Sequence, residues 1–309
     1  MTPAAQDPRP GAPAASPRAA DLRARFGCVV LTAGRRPDDL RAAVESLLAQ
    51  RDVEADIVVV GNGCRPDGLP DGVRVVALPA DDGIPAGRNA GVPHVDGDLL
   101  FFLDDDARLA DTDALTRVAR AFAADPALGL LQLRVEPLRP GGARSRDWIP
   151  RLRNGDPARG SEITVVWEGA VGIRREVFDH VGGWPAPFRF VHEGVDLGWR
   201  VMDAGFRVRY LGDAAVLHPS PTGAPHGYSY YFGARNRVWL ARRYLPLPLG
   251  ALYVTAFALR TVPRLKTRRA VQEAARGYRD GMRGPCTGRN RLRARTLLRM
   301  TRAGRPPIM

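Results

Sequence analysis

The chain has 309 residues, of which 45% are hydrophobic and 26% are charged. This length can bury one large core or two smaller ones, and we expect one α/β domain with a tail. The formal net charge of +13 would by itself suggest a nucleic-acid partner. However, residues 260–309 hold 15 basic and two acidic residues, so the rest of the chain is neutral. This uneven distribution argues against nucleic acid as the partner.

The cysteine pattern and the N-terminal segment bear on localisation. Cys28, Cys64 and Cys286 are far apart and show no CxxC spacing, which fits a reducing cytoplasm. The N-terminal segment is rich in Ala and Pro and has no apolar core of the signal-peptide type. We therefore predict a disordered extension over residues 1–22 and a cytoplasmic protein.

Strand and helix signals alternate from about Phe26 onward. Residues 28–31 and 57–60 are short apolar runs, as expected for parallel strands that are covered on both faces. Between them, Pro37 can open a helix with an apolar face formed by Leu40, Val44, Leu47 and Leu48. Further along, the pattern predicts a strand over 73–78, a helix over 85–94, a strand over 99–103 and a helix around 115–122. This order predicts a doubly wound sheet.

Three consecutive carboxylates, Asp104, Asp105 and Asp106, directly follow one of these strands. Adjacent acids repel one another, so their position indicates a cation that offsets the repulsion. Ligands of doubly wound sheets bind beyond the carboxyl ends of the strands, where loops 32–35 and 61–64 should also converge. The sequence therefore predicts a metal site at this rim, with an acidic strand end or helix cap as the alternative.

Several motifs occur together in a characteristic order: LTAGRRPDDL, VVVGNGC, GIPAGRNAGV, GDLLFFLDDDA, EGAVGIRREVFDHVGGW, HEGVDLGWRVMDAGFRV and AVLHPS. With this order the chain resembles the family 2 glycosyltransferases, inverting enzymes of the GT-A fold. The resemblance implies a mostly parallel α/β sheet with flanking helices over residues 23–243, followed by a basic helical region over 244–309. It also implies transfer of a hexose or deoxyhexose from a nucleotide-sugar donor to a hydroxyl group.

The resemblance implies a divalent metal, Mn or Mg, and assigns residues to it. Matched to the family's DxD motif, Asp104 contacts the ribose side of the nucleotide and helps to hold the metal, and Asp106 binds the metal. Asp105 belongs to the donor site, where we expect it to matter least. His218 ends a late strand and completes the metal shell, because neutral imidazole is a good ligand for Mn.

The resemblance also indicates where the donor and the acceptor bind. The donor is a UDP, dTDP or GDP sugar, and its pocket is formed by Thr32, Arg35, Asn62, Arg88 and Asn89. We expect Arg88 to bind the pyrophosphate through its guanidinium group; a solvated helix charge is the alternative.

Glu168 and Trp184 are assigned to the acceptor side. An aromatic face such as that of Trp184 can pack on a sugar ring, but this residue can equally pack in the core under a loop.

An inverting transfer needs a base that takes the proton of the acceptor hydroxyl. The family usually has Glu-Asp at the start of the relevant helix, whereas this chain has Glu193-Gly194. Glu193 is therefore our first candidate for the base, Asp196 the second and His192 a further alternative. Acids in a first helical turn also interact favourably with the helix dipole, so simple capping is the competing interpretation.

A segment near the C-terminus suggests contact with a membrane. Residues 245–259 are uncharged but interrupted by Pro246, Pro248 and Gly250. The segment is shorter than the roughly 20 residues that cross a bilayer. Because basic residues flank it, we expect an interfacial helix on the anionic inner face of the cell membrane. A buried packing helix is the alternative.

The acceptor class stays open between an envelope glycan, a lipid-linked intermediate and a secondary metabolite. Two other functions compete with sugar transfer. A nucleotidyltransferase on a related fold would share the nucleotide and the metal but leaves the HEGVDLGWR helix unexplained. A non-catalytic basic protein would use its tail to bind a membrane or nucleic acid.

Overall fold

The computed structural model describes residues 23–151, 155–220, 227–286, 288 and 290–307. The extension predicted over residues 1–22 lies outside these described residues.

One mixed β-sheet forms the centre of the described structure. Its strands are β1 (Ala24–Thr32), β2 (Val53–Gly61), β3 (Arg74–Ala77), β4 (Leu99–Asp104), β5 (Arg108–Leu109), β6 (Leu128–Pro137), β7 (Ser161–Glu162), β8 (Ala170–Arg174) and β9 (Arg207–His218). They lie in the order β3-β2-β1-β4-β8-β6-β9-β5, and β7 pairs with β9. The strands from β3 to β4 are parallel, whereas β8 is antiparallel to both β4 and β6. The predicted α/β sheet with flanking helices is confirmed, and its second half is mixed.

Helices cover both faces of the sheet. They are α1 (Pro37–Leu48), α2 (Ile84–Gly91), α3 (Ala114–Ala124), α4 (Arg175–Val181), α5 (Glu193–Asp203), α6 (Gly227–Tyr244), α7 (Leu247–Thr261), α8 (Arg268–Arg283) and α9 (Ala294–Arg302). Successive strand residues point to opposite faces, so β1 sends Val30 into the core beneath α1 and α3 and Val29 into the core of the other face. Two apolar layers therefore hold the sheet between them.

Helix α2 lies unusually close to the sheet because it ends in a glycine. A Cβ atom at Gly91 would lie 2.6 Å from Cγ1 of Val29 and 2.9 Å from Cγ2 of Val60. These distances are shorter than a carbon–carbon contact allows, so any side chain here would push the helix outward. The close approach places Arg88, three residues earlier on α2, in a buried position beside the end of β4.

A short antiparallel pairing brings the end of β9 to the acidic cluster. Strand β5 starts two residues after Asp106, and its Arg108 pairs with Leu217 of β9. His218, the next residue and the last of β9, therefore reaches Asp106. Strand pairing rather than sequence proximity thus joins two predicted site residues that lie far apart in the chain.

The C-terminal helices share a core with the sheet. Tyr244, Tyr253 and Met300 are at most 3% exposed and belong to the same apolar cluster as Val29. The domain boundary predicted after residue 243 falls at the end of α6. Among the described residues, the helices all fall short of the length and apolarity needed to span a bilayer.

Candidate active site

The three predicted metal-binding residues lie together at the carboxyl ends of β4 and β9. Asp104, Asp106 and His218 can each offer one ligand atom, and these atoms lie within 4.8 Å of one another. His218 Nδ1 is 2.8 Å from the carbonyl oxygen of Pro219, which can only accept, so Nδ1 carries a proton. This contact turns Nε2 toward Asp106, 3.2 Å away. Two carboxylates and an imidazole suit Mn or a similar divalent cation.

The side chain that faces the acidic cluster from the β1 loop is Arg36 rather than the predicted Arg35. Arg36 donates to Asp105 Oδ1 at 2.6 Å and also forms an ion pair with Asp106. Arg35 is exposed and lies outside this network. Both arginines occupy the same loop, and the path of the loop decides which of them reaches the carboxylates. That path is not visible in the amino-acid sequence.

Asp105 and Thr32 contact each other. The Thr32 hydroxyl donates to Asp105 Oδ2 at 2.6 Å, and both residues are buried. Burial raises the pKa of Asp105 to about 6, although the Thr32 hydrogen bond and the charge of Arg36 act in the opposite direction. Asp105 therefore links the end of β1 to the end of β4 through this hydrogen bond. We had expected Asp105 to matter least among the three aspartates.

Arg88 lies between two carboxylates instead of facing a pyrophosphate. Its Nη2 donates to Asp104 Oδ1 at 2.6 Å, and its Nη1 lies 3.9 Å from Glu193 Oε1. The residue is only 2% exposed and faces carboxylates in this arrangement, and its role in binding the donor pyrophosphate stays a prediction. Buried charges need charged partners, and Arg88 has one on each side. It links the metal-binding group to the start of α5.

Glu193 and Glu168 form a carboxylate pair beside Arg88. Glu193 is 3% exposed, and its Oε2 has no hydrogen-bond partner in the described part of the chain. Burial and the charge of Glu193 raise the pKa of Glu168 to about 8, and burial also raises the pKa of Glu193. Two neighbouring carboxylates in such a site share one proton near neutral pH. The predicted first candidate for the base thus has a second carboxylate next to it.

The departure from the family's Glu-Asp pair has a steric reason. A Cβ atom at Gly194 would lie 2.2 Å from the carbonyl oxygen of Val166 and 2.7 Å from Glu168 Oε1. In addition, the Gly194 N–H donates to Glu168 Oε1 at 2.7 Å. An aspartate at position 194 would collide with this backbone. The glycine therefore lets Glu168 approach the start of α5.

The backbone before Glu193 is strained and held in place by α6. Arg189, Val191 and His192 have φ angles of 61°, 55° and 68°, in the left-handed region that L-residues rarely adopt. Asn236 is completely buried and donates to the carbonyl oxygens of residues 188, 190 and 191. Strained backbone persists only where surrounding contacts over-determine it, and it is frequent at functional sites. Sequence reasoning missed Asn236, because its function depends on tertiary contacts.

Asp196, the second candidate for the base, is a structural residue. It is completely buried, and it accepts hydrogen bonds from Arg200 at 2.6 Å, Arg243 at 3.0 Å and the Tyr244 hydroxyl at 2.6 Å. No part of the carboxylate is left for an acceptor hydroxyl. The prediction of a basic role for Asp196 is therefore wrong, and the residue ties α5 to the end of α6.

Trp184 lies in the core and cannot stack on an acceptor sugar. It is 1% exposed, its ring packs edge-on against Phe102 at 5.2 Å, and Arg88 lies 5.0 Å from the ring centroid. The Asn89 side chain bonds both the N–H and the carbonyl of Trp184, which excludes Asn89 from the donor pocket as well. Trp184 is buried, the alternative that the sequence left open for it, whereas the half-buried Asn89 is engaged by its two hydrogen bonds to the backbone of Trp184.

A partly exposed aromatic side chain beside the metal-binding residues is that of Trp167. Its ring lies 5.0 Å from that of His218 in an edge-on arrangement. Trp167 directly precedes Glu168 in the sequence, and this is the feature from which its place near the site could have been predicted. Trp167 rather than Trp184 thus has a face near the site.

Asn62 shapes the donor side of the rim indirectly. Its Nδ2 donates to Asp81 Oδ1 at 2.8 Å, and its Oδ1 accepts the N–H of Asp82. Asn62 therefore holds the 81–83 loop beside the end of β2. This contact also places an exposed carboxylate, that of Asp81, next to the strand end where this chain has Gly61.

Replacement of Asp196 tests its structural assignment. We expect Asp196→Ala to lower the free energy of unfolding by about 3–5 kcal/mol, because two half-buried arginines and the buried Tyr244 hydroxyl lose the carboxylate that accepts their hydrogen bonds. The matched control is Asp179→Ala on the exposed surface of α4, for which we expect a change within about 0.5 kcal/mol. Urea unfolding measures both. An Asp196→Ala protein with wild-type stability and no activity would instead restore Asp196 as the base.

The Glu168–Glu193 pair predicts a specific pH dependence of stability. The pKa of Glu168 is raised when the protein folds, so its contribution to stability is complete below about pH 4.5 and is lost as the pH rises toward about 8. We expect the melting temperature of the wild type to fall over this range and that of Glu168→Gln to fall less. Glu176→Gln, on the surface of α4, should follow the wild type. Parallel curves for all three proteins would contradict a raised pKa at Glu168.

Comparisons with known proteins bear on the family and on the fold. Residues 28–182 match the family model described as "Glycosyl transferase family 2". The O-antigen biosynthesis protein RfbC of Myxococcus xanthus is 30% identical over 211 residues, which are 59% of this chain and 16% of the relative. The O-antigen chain rhamnosyltransferase RfbN of Salmonella typhimurium is 23% identical over 192 residues, 57% of this chain and 60% of the relative. The chain thus spans less than two thirds of the length of each.

A solved structure extends the comparison to the fold. The structure of GalNAc-T7 with UDP, GalNAc and Mn²⁺ superposes with a TM-score of 0.62 and covers 85% of this chain and 57% of that chain. The sequence identity is 14%, so the likeness concerns the GT-A architecture alone. With a family model that matches half of its length, the chain belongs to glycosyl transferase family 2.

Proposed function

We propose that this protein transfers a sugar from a nucleotide-sugar donor to a hydroxyl acceptor, with inversion at the anomeric carbon. The observation that carries the proposal is the link from the Asp104–Asp106–His218 group through Arg88 to the Glu193–Glu168 pair. One end of this arrangement can hold the cation of a nucleotide diphosphate, and the other can accept a proton. A single displacement needs both functions on opposite sides of the reacting carbon.

The leaving-group side uses the residues at the carboxyl ends of the strands. Asp104, Asp106 and His218 would hold a divalent cation, which supplies charge neutralisation for the departing diphosphate. Arg36 neutralises Asp106 in the described arrangement and lies on the solvent side of the cluster. If a bound cation neutralised Asp106 instead, the guanidinium group of Arg36 would be available to the donor phosphates.

The base side uses the carboxylate pair. With one proton shared between Glu193 and Glu168, the ionised carboxylate accepts the proton of the acceptor hydroxyl as that oxygen attacks. Arg88 keeps the Glu193 carboxylate oriented, since its other end is fixed on Asp104. Trp167 offers a partly exposed aromatic face beside His218 for the acceptor sugar.

The names of the relatives support the substrate class. One relative is named as a rhamnosyltransferase and both names refer to O-antigen, so we propose a hexose or deoxyhexose donor and a saccharide acceptor of the cell envelope. The Asp81 carboxylate beside Gly61 would contribute to recognition of the nucleotide base.

Two variants test the proposed division of the site. Asp106→Ala should lose both Mn-dependent UDP binding and donor turnover, because a metal ligand is removed. Glu193→Gln should keep UDP binding and lose about 10²–10⁴-fold in turnover, the typical contribution of a general base. Binding is measured as a thermal shift with UDP and Mn, and turnover as release of nucleoside diphosphate from nucleotide sugars.

The matched control for these variants is Asp111→Ala, an exposed aspartate near the cluster. Asp111→Ala should resemble the wild type in both measurements. Unchanged turnover in Asp106→Ala would reject the proposal, and release of pyrophosphate instead of nucleoside diphosphate would favour the nucleotidyltransferase.

We further propose that α7 binds the inner face of the cell membrane. Leu252 and Leu259 are 52% and 67% exposed and, seven residues apart, lie on one face of α7. Leu247 at the start of α7 and Val262 just after its end are also exposed apolar residues, at 80% and 60%. Exposed basic residues follow directly: Arg260, Arg264, Lys266, Arg268 and Arg269. An apolar face bordered by cations matches the surface of an anionic leaflet.

Vesicle sedimentation tests the membrane proposal. The protein should bind vesicles that contain phosphatidylglycerol and not pure phosphatidylcholine. The double variant Leu252→Glu/Leu259→Glu should weaken binding by at least about tenfold, because burial of each leucine contributes on the order of 1–2 kcal/mol. Leu298→Glu on α9, where the leucine is 51% exposed, is the control and should bind normally. Equal binding by all three proteins would contradict the assignment to α7.

A further inference from the structure

Gln132 is a completely buried polar side chain between two apolar residues of β6, Leu131 and Leu133. Its backbone pairs with Val171 of β8 on one side and with Tyr210 of β9 on the other, so it lies in the interior of the sheet. Burial of an amide costs free energy unless its polar atoms form hydrogen bonds. The partners of this amide therefore show which contacts offset that cost.

The Gln132 amide joins two chain segments that lie outside β6. Its Oε1 accepts the backbone N–H of Trp167 at 2.7 Å, and its Nε2 donates to the carbonyl oxygen of Trp148 at 2.9 Å. A further contact runs from Nε2 to the carbonyl oxygen of Leu133 at 3.3 Å. Both ends of the amide are thus bound to main-chain groups. An apolar side chain of the same size would leave the Trp167 N–H and the Trp148 carbonyl without this partner.

The two tryptophans that Gln132 joins both pack against a metal-binding residue. The ring of Trp148 lies 5.7 Å from that of His218, and the ring of Trp167 lies 5.0 Å from it, each in an edge-on arrangement. The two indole rings are 6.5 Å apart. A change in the backbone position of either tryptophan would therefore be felt at the end of β9.

Residues 167–169 are held at both ends and in the middle. At the start, the N–H of Trp167 is bound by the amide from β6. At the end, the carbonyl oxygen of Gly169 accepts the N–H of Asp104 at 3.0 Å. Between them, Glu168 Oε1 accepts a backbone N–H from the first turn of α5 at 2.7 Å. The segment that carries the aromatic face and one of the paired carboxylates is thus fixed to three elements of the site.

The ring of Trp167 lies directly over the backbone of this segment. A Cβ atom at Gly169 would lie 2.0 Å from Cη2 of Trp167, far shorter than a carbon–carbon contact allows. The glycine therefore gives the indole ring its place beside His218. Because the ring packs on its own segment, its position follows the backbone at Trp167, which Gln132 holds.

We propose that Gln132 is a positioning residue for the transfer: through the N–H of Trp167 it sets the place of the Trp167 ring and of the Glu168 carboxylate. The inference rests on the proposed glycosyl transfer and names a residue that orients its acceptor side. Gln132 is completely buried, so it acts through these two residues and does not itself touch the substrates. Misplacement of reacting groups by about 1 Å can cost about 10²-fold in rate, so such a contact can affect turnover strongly.

Fluorine NMR of protein labelled with fluorotryptophan reports on the position of Trp167 without any substrate. Trp167→Phe identifies the resonance of this residue by its loss. Gln132→Met has a similar volume but binds neither backbone group, and we expect it to shift or broaden the Trp167 resonance while that of Trp239 on α6 stays in place. Gln132→Glu should lie closer to the wild type, because a carboxyl oxygen can still accept the Trp167 N–H.

Turnover and donor binding show whether the position of the segment matters for the reaction. We expect Gln132→Met to keep the thermal shift with UDP and Mn. Its release of nucleoside diphosphate from UDP-glucose, dTDP-rhamnose or GDP-mannose should fall by about tenfold or more. Gln132→Glu should recover part of this loss.

The matched control is Thr116→Val, which removes another buried side-chain hydrogen bond to the main chain. The Thr116 hydroxyl on α3 donates to the carbonyl oxygen of Arg51 at 2.6 Å, outside the site. Thr116→Val should lower the melting temperature and leave both the Trp167 resonance and the turnover as in the wild type. If Gln132→Met does not fold, Gln132→Asn, whose amide is one methylene shorter, takes its place.

Two results would overturn the inference. The first is a Gln132→Met protein that keeps either the wild-type Trp167 resonance or the wild-type turnover. The second is an equal loss of turnover in Thr116→Val, which would indicate general destabilisation only. The wild type tests the proposed function separately: failure to release nucleoside diphosphate from all three donors rejects the transfer, whereas the fluorine resonances still decide whether Gln132 places Trp167.

Discussion

The repulsion between three consecutive carboxylates is the constraint on which the rest of the site depends. Asp104, Asp105 and Asp106 could not share a partly buried strand end unless each had its own compensation. The fold supplies a different partner to each: Arg88 from a helix packed closely on the sheet, Thr32 with Arg36 from the neighbouring strand, and His218 from the far end of β9. The positions of the elements that carry these partners therefore determine the geometry of the site.

The compensation also explains why the site extends beyond the acidic cluster. Arg88 neutralises Asp104 on one side and approaches Glu193 on the other, so the charges of the two halves are balanced through one buried guanidinium. Removing any of the three would leave a buried charge without its partner. Asp104 and Glu193 are therefore coupled electrostatically through Arg88, although they lie far apart in the chain.

Sequence reasoning succeeded where chemistry is local and failed where it depends on tertiary packing. Strand ends and acidic residues are visible in the sequence, so the sheet and a metal site at the aspartates could be predicted from it, whereas His218 was assigned through the resemblance to the family. The direction in which a side chain points is not visible. Arg35 and Arg36 are neighbours with equal chemistry, and only the path of the loop selects Arg36. Asp196 and Trp184 looked available because their buried partners belong to distant elements.

The left-handed backbone before α5 has a consequence for how the protein acquires its activity. Residues 189–192 cannot keep their conformation on their own, because it is intrinsically unfavourable, and the amide of Asn236 that holds it lies more than 40 residues later in the chain. Glu193 thus cannot take its place when α5 forms. We therefore expect the sheet to assemble first during synthesis, and the carboxylate of Glu193 to take its place only after α6 has emerged and docked. The position of Glu193 would then be set late in folding, separately from formation of the sheet.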